Sequence, residues 1–448
     1  MSDYHYYSNP NYGAPPPPPN GYGYGPPGGY VPPNGQPPPI PASSYPGPPL
    51  QNYGPPPPSH AGYSPSYMPP PQGHQYAPPP PPAFSSYPVA GYQPPPAAYP
   101  NQPQQSQAPI IYYMNVPVPS PAYHLPPQGD IAPGYEPTMD VDKIRKATKG
   151  FGTDEAALIS VFGHLGSLPM AALAAAFKAR VGKDLEDVLK SETGGYFGET
   201  LRALVLGPLW YDVDLVHSAI KGAGTDELLL TEIIADRTPS DRQNLFIAYR
   251  MRYGRDLQAD IRGDLSAKTE RMYTMMLSAN PPPDHAPLDY KQIESDVKAL
   301  YKAGQGKIGT DEIAFCDIII NRSRTYLAAL CDAYARKYKS LTKVIKSEFS
   351  GHMRQTLLFI VEGAKPKHAV EGPGIWRDAK MLEKSMKGLG TKDKQLVRRI
   401  VRYHWDRNRF EAITAAYHKK YKKSLESRVA GETSGDYKKL LVELVRGA

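Results

Sequence analysis

The sequence predicts an all-α protein built from four copies of one helical unit, preceded by a long segment that does not fold. Three observations lead there. One short loop recurs as Lys149-Gly150-Phe151-Gly152-Thr153, Lys221-Gly222-Ala223-Gly224-Thr225, Lys307-Ile308-Gly309-Thr310 (after Gly304-Gln305-Gly306) and Lys387-Gly388-Leu389-Gly390-Thr391. Its last glycines stand at 152, 224, 309 and 390, so the unit returns after 72, 85 and 81 residues, the signature of a repeat architecture. Each loop is followed by an apolar run at helical spacing, and no convincing strand interrupts the folded part.

Residues 1–137 obey different physics. They hold 44 of the 53 prolines, no lysine or arginine, and only Asp3, Asp130 and Glu136 as acids. Proline lacks the amide donor that helices need, and aliphatic residues are too few to offset the entropy of folding. This segment is expected to be disordered, with polyproline II character in runs such as 15–19 and 78–82. All 51 basic residues and 40 of the 43 acids lie in 138–448, a net charge of about +11 over some 310 residues. That length exceeds one ordinary core and suits four units, expected at 138–208, 209–280, 288–364 and 375–448.

The positive balance points to an acidic partner, nucleic acid or an anionic membrane surface. No apolar run approaches the roughly 18 residues needed to span a bilayer, and no signal peptide is expected. Cys316 and Cys331 fall on apolar helix faces, as buried free thiols in a reducing compartment would.

Taken in order, the first unit predicts a helix over 140–148 that ends at its glycine loop. Thr153 is the expected N-cap of the next helix, with Asp154 and Glu155 in its first turn and Leu158, Ile159 and Phe162 on one face. Further helices are expected over 170–180, 184–190 and 196–206. The second unit repeats the plan, with Thr225 as the expected cap, Leu229, Leu230, Ile233 and Ile234 on the next helix, and Thr238-Pro239 as a clear helix start. Helices over 256–261 and 271–277 follow. The proline-rich stretch 280–287 is a linker, which suggests that the first two units pair apart from the last two. The third unit predicts helices over 312–320, 325–338, 341–346 and 352–362. Residues 365–374 break the chain again, and a helix over 437–446 closes the fourth unit.

An acid follows each loop at nearly constant distance. Glu192, Asp264, Glu348 and Glu432 lie 40, 40, 39 and 42 residues after the last glycine of their loops, which suggests that loop and acid meet in space. The chemistry that fits is calcium binding. Calcium takes six to eight oxygens, often backbone carbonyls with a bidentate carboxylate. Alternate glycines let a loop turn its carbonyls outward, and the loop follows a helix C-terminus, whose free carbonyls favour a cation. Coordination positions left open would accept water or a lipid phosphate oxygen, making the metal a bridge to a membrane. The apolar tips Phe151, Ala223, Ile308 and Leu389 suit insertion among headgroups. The neighbouring Lys149, Lys221, Lys307 and Lys387 would meet phosphates. The fourth loop differs in having Lys392 where the others have aspartate.

The loop, the downstream acid, the helix plan and the four unequal repeats together resemble the annexin family over about 138–448. The resemblance implies four five-helix repeats in a curved disc and reversible, calcium-dependent, peripheral binding to acidic phospholipids from the cytoplasm. It implies carbonyl ligands at Thr148, Gly150 and Gly152; at Ile220, Gly222 and Gly224; at Gly304, Lys307 and Gly309; and at Met386, Gly388 and Gly390. It implies carboxylate ligands at Glu192, Asp264, Glu348 and Glu432. A central polar channel is also implied, with Asp212 paired to Arg237 and Glu232 to Arg398; a buried network that fixes repeat packing is the favoured reading of those pairs. The Pro/Gly/Tyr-rich tail resembles those of long-tailed, synexin-like annexins, which implies EF-hand partners, self-association and membrane bridging in trafficking or exocytosis.

The alternative is a basic, nucleic-acid-associated protein with a condensation-prone tail, drawn from the charge and the aromatic, basic stretch 398–409. No recognised RNA- or DNA-binding module supports it, and no nucleic-acid partner is expected. Catalysis is not expected. Gly304-Gln305-Gly306-Lys307 has Ile308 where a phosphate loop needs Ser or Thr, and the histidines have no catalytic or metal spacing.

Overall fold

The computed structural model describes residues 110–121, 131–150, 152–222, 224–265, 267–306, 309–367 and 371–447. The expected disorder of 1–109 and 122–130 lies outside the described residues. Within the expected tail, however, a hairpin is present. Strands β1 (Ile110–Tyr113) and β2 (Val116–Pro119) pair antiparallel, with Tyr113 opposite Val116 and Ile111 opposite Val118. The connecting residues Met114 and Asn115 both take positive φ, 54° and 63°, as a two-residue primed turn requires. Proline did not prevent this. Pro117 and Pro119 oppose Tyr112 and Ile110, alternate positions whose amides point away from the partner strand. Tyr113, Val116 and Val118 are buried, so a run of β-branched and aromatic residues outweighs the proline content around it.

The rest is helical. The first repeat holds α1 (Thr138–Ala147), α2 (Glu155–Phe162), α3 (Ser167–Val181), α4 (Leu185–Glu192) and the first half of α5 (Gly195–Ile220). Helix α5 bends sharply at Gly207, whose φ of 67° and ψ of 178° are outside the helical region, and Pro208 then opens its second half in the position proline tolerates. That second half begins the second repeat, followed by α6 (Glu227–Ile234), α7 (Pro239–Tyr253), α8 (Leu257–Asp264) and α9 (Ala267–Ser278). The third repeat is α10 (Tyr290–Ala303), α11 (Glu312–Ile320), α12 (Arg324–Lys337), α13 (Leu341–Glu348) and α14 (Gly351–Ala364). The fourth is α15 (Ile375–Met386), α16 (Asp393–His404), α17 (Arg407–Tyr421), α18 (Leu425–Glu432) and α19 (Gly435–Arg446). Each repeat thus has five helical segments. Thr238 caps α7 reciprocally with Asp241 and Pro239 follows, as expected.

The expected N-cap threonines are corrected. Asp154, Asp226 and Asp311 are the N-caps of α2, α6 and α11, accepting from Ala157, Leu229 and Ala314 amides at 2.9, 3.0 and 3.1 Å. In the fourth repeat the same place is Lys392, which makes no side-chain cap.

The expected pairing of repeats is also corrected. Helix α19 packs on α2 and α5, and α16 on α5, while α14 packs on α6 and α9 and α11 on α9. Repeat 1 therefore closes on repeat 4, and repeat 2 on repeat 3. Chemistry at the junctions decides this rather than the linker. Between repeats 2 and 3, Thr231 Oγ1 meets Tyr273 Oη at 2.9 Å and Thr356 Oγ1 at 3.0 Å, and Tyr273 Oη meets His352 Nε2 at 3.0 Å. Large fully buried side chains such as Phe177, Phe315 and Phe410 fill the core, each stabilising by about 1.5–3 kcal/mol. Cys316 and Cys331 are buried and free, and burial pushes both thiols up to about 12. Among the described residues no helix is long and apolar enough to cross a membrane.

Candidate metal centres on the glycine loops

The four loops close in the same way. The amide of the residue after the threonine reaches back to a carbonyl in the last turn of the preceding helix: Asp154 to Ala147 at 2.9 Å, Asp226 to Ala219 at 2.8 Å, Asp311 to Ala303 at 2.7 Å and Lys392 to Ser385 at 2.8 Å. The third bond spans eight residues and the others seven, so the third loop carries one extra residue. Gly150, Gly222 and Gly388 take φ of 116°, 119° and 123°, and Gly152, Gly224, Gly309 and Gly390 take 82°, 91°, 82° and 79°. These conformations are costly for any residue with a Cβ.

The acids come to the loops. Glu192, Asp264, Glu348 and Glu432 are each the last residue of an eight-residue helix: α4, α8, α13 and α18. The loop threonine ties the two ends together. Thr153 Oγ1 donates to the Glu192 carbonyl at 2.8 Å, Thr310 Oγ1 to Glu348 Oε2 at 3.0 Å, and Thr391 Oγ1 to Glu432 Oε2 at 2.9 Å and to its carbonyl at 3.2 Å. Thr153, expected as a cap, is therefore a residue that joins loop to acid, as Thr310 and Thr391 are in their repeats. The side chain of Asp264, and residues Phe151, Ala223, Lys307 and Ile308, lie outside what is described.

The electrostatics favour a cation. Two helix C-termini, that of the helix before the loop and that of the short helix with the acid, converge on one place. Each carries the negative end of its dipole, and a carboxylate there is disfavoured unless a cation joins it. Among the described residues Glu192 and Glu348 have no salt bridge; their nearest side-chain partners besides threonine are Ser191 and Ser347, at 3.5 and 3.2 Å. Loop carbonyls with a carboxylate would make an all-oxygen donor set, which would fit calcium and not a softer metal. Lys149, Lys221 and Lys387 are exposed beside the loops. Leu389 at the tip of the fourth is wholly exposed, at 109%.

Repeat 4 departs from this pattern. Arg428, one turn before the acid on α18, donates to Glu432 Oε1, and its Nη2 donates to the Met386 carbonyl at 2.6 Å. Its Nε also lies 3.5 Å from Glu383 Oε2.

The expected central ion pairs form and belong to a larger buried network. Asp212 pairs with Arg237 and with Arg402 at 3.3 Å. Glu232 accepts from Arg398 at 2.9 Å and Arg399 at 2.6 Å. Asp236 accepts from Arg377 at 2.8 Å, and Asp378 pairs with both Arg377, at 2.8 Å, and Arg409. Burial works against ionising Glu232, but the Arg399 and Arg398 guanidiniums outweigh it and hold its carboxyl down to about 2. The hairpin contributes as well: Tyr113 Oη donates to Asp212 Oδ2 at 2.8 Å and accepts from Arg237 Nε at 3.0 Å, and the Met114 amide donates to Asp241 Oδ1 at 2.9 Å. Sequence reasoning found two of these pairs and missed Arg399, Arg402, Arg377 and Tyr113. The tandem Arg398-Arg399 and the tyrosine within the one aliphatic stretch of the tail were the available signals.

Comparison with known proteins agrees with this architecture. The Annexin repeat profile matches residues 139–204, 211–276, 295–360 and 377–444, one segment in each repeat. Annexin C1 of Cryptococcus neoformans var. grubii is 44% identical over 314 residues, 70% of this chain and 66% of that protein. Annexin A4 of Homo sapiens is 39% identical over 321 residues, 70% of this chain and 96% of its own length. The solved structure of annexin III superposes with a TM-score of 0.65 at 30% identity, over 71% of this chain and 95% of that one. Calcium-bound annexin (Sm)1 superposes with a TM-score of 0.59 at 25% identity, over 70% and 91%. With four matched repeats, the tied loops and acids, and relatives of this similarity, the chain belongs to the annexin family, whose general property is calcium-dependent phospholipid binding.

Proposed function

We propose that this chain binds acidic phospholipid surfaces peripherally and reversibly, with calcium held in the glycine loops as the bridge. The observation that carries this reading is the bond from Thr153 to the Glu192 carbonyl and from Thr310 to the Glu348 carboxylate, which keeps an acid with no salt bridge among the described residues beside a glycine loop. In the first repeat Thr148, Gly150 and Gly152 would supply carbonyls and Glu192 the carboxylate. In the second the same roles fall to Ile220, Gly222, Gly224 and Asp264, and in the third to Gly304, Lys307, Gly309 and Glu348. Calcium, when bound, presents its open coordination positions to lipid phosphate oxygens. The exposed lysines beside the loops add attraction to an anionic surface, about 1 kcal/mol for each one near it.

The test is co-sedimentation of the full chain with phosphatidylserine vesicles across a calcium titration, beside a variant carrying E192Q, D264N and E348Q. Calcium-dependent pelleting that EGTA reverses, and that the variant loses, is the expected result. Pelleting without calcium would instead assign binding to the basic surface, and retention on RNA with no pelleting would favour the nucleic-acid reading.

The finer reading is a cytoplasmic protein that visits membranes when calcium rises and takes part in trafficking or exocytosis. Residues 1–109 would bring bound molecules together or recruit EF-hand partners. Deleting 1–109, which leaves the hairpin in place, should leave vesicle binding intact and abolish vesicle aggregation. Aggregation that survives the deletion would assign bridging to the repeats.

A further inference from the structure

We infer that Arg428 serves as a built-in cation in the fourth loop and takes the place that calcium takes in the others. The inference rests on the reading of the loops given above. In repeats 1 and 3 the position one turn before the acid is Val188 or Val344, and in repeat 2 it is Asp260; none of these can donate a charged hydrogen bond into its loop. In repeat 4 it is an arginine whose guanidinium reaches two of the groups a metal would need. It donates to Glu432 Oε1 and, at 2.6 Å, to the Met386 carbonyl. The other carboxylate oxygen, Oε2, accepts from Thr391 Oγ1 at 2.9 Å. In repeats 1 and 3 the corresponding Oε1 meets only a serine hydroxyl, whereas Glu432 Oε1 is held by a guanidinium, which calcium would have to displace to grip both oxygens of the carboxylate.

Geometry keeps the arginine there. Glu383 lies 3.5 Å from Arg428 Nε on the far side, and Tyr417 donates to the same Glu383 carboxylate. The guanidinium thus sits between two carboxylates and a helix-terminal carbonyl, a charge-assisted arrangement stronger than neutral hydrogen bonds. It also neutralises the acid at the C-terminus of α18, which in repeats 1 and 3 is left to a cation from solution. The backbone of the fourth loop does not differ: Gly388 and Gly390 have φ of 123° and 79°, and the closing bond from Lys392 to Ser385 is 2.8 Å. The loop is held ready in its calcium-loop conformation by an internal cation. Its exposed Lys387 and Leu389 are presented without metal.

The test counts calcium. Equilibrium dialysis of the full chain with phosphatidylserine vesicles and saturating calcium is compared with R428V, which carries the residue found in repeats 1 and 3. The variant is expected to bind one more calcium per chain. E432Q is expected to leave the wild-type count unchanged and to remove the gained calcium from R428V, with unaltered far-UV dichroism showing that all three proteins fold. R428K, which keeps the charge, should stay at the wild-type count. A wild-type count that falls by one with E432Q, or an R428V count equal to wild type, would overturn the inference while leaving the other loops as calcium sites. No calcium bound by wild type or R428V would overturn this inference together with the reading of all four loops.

Discussion

Carboxylates are held in two contrasting ways in this protein. Beside the loops, the Glu348 carboxylate accepts from a threonine and a serine, the Glu192 carboxylate from a serine while its carbonyl accepts from a threonine, and neither is paired with a cation among the described residues. Between the repeats, Glu232, Asp212 and Asp378 are buried and each is gripped by two guanidiniums. The first setting leaves negative potential for a cation from solution; the second satisfies it internally. Glu432 shows that the two are not separate kinds of site, for it stands on a loop and is satisfied as a core carboxylate is. On the reading proposed above, what divides binding from packing is whether the sequence supplies an arginine within reach.

Neutralising one acid of each kind should separate the two settings most strongly. E232Q would leave Arg398 and Arg399 buried without a counter-charge, and removing one member of such a set costs about 3–5 kcal/mol. A large fall in the thermal midpoint is expected, with the calcium count at temperatures below unfolding unchanged. E192Q should do the reverse. It should lower calcium affinity in its loop by at least about tenfold, as loss of ligand-shell groups does, and leave the calcium-free melting curve in place. A melting curve equally affected by both would erase the distinction.

Y113F sharpens the buried side. It removes a hydrogen bond to a charged acceptor while Arg237 and Arg402 remain, and should cost about 1.5–3 kcal/mol in denaturant unfolding. A neutral result would mean that the hairpin lies on the network without holding it.

Acid should loosen the buried junctions before it touches their carboxylates. His352 lies between repeats 2 and 3, and His404 binds the Leu165 carbonyl at 3.2 Å between repeats 4 and 1. Burial pushes both histidines down to about 4. Their folded values are below the unfolded value of about 6.5, so the unfolded chain binds more protons and stability falls as pH drops from about 6.5 to about 4. Glu232, held down to about 2, adds its loss only below its ordinary carboxylate range. Melting curves across pH 7 to 3 should show the first loss and show less of it in H352Q. The smallest expected effect is a gain: K392D restores the cap that the other three loops have and should stabilise by about 0.5–1 kcal/mol.

Much of this was written locally in the chain. The four glycine loops, their following acids and most helices are short-range patterns, and the glycines stand where the backbone takes left-handed angles that other residues resist. Thr153 stands where a cap is expected but bonds elsewhere, because an N-cap is a local bond and a bond to Glu192, 39 positions away, is not. The hairpin was hidden by the proline around it; only its burial against Asp212 and Arg237 makes ten residues of ribbon worth ordering. The pairing of repeat 1 with 4 and 2 with 3 rests on side chains far apart in sequence, such as Thr231 with Thr356 and Glu232 with Arg399. Composition and spacing set which groups could bind a cation. Which of them are already answered from within, Glu432 by Arg428 or Glu232 by Arg398 and Arg399, depends on distances of a few ångströms that only the packed chain defines.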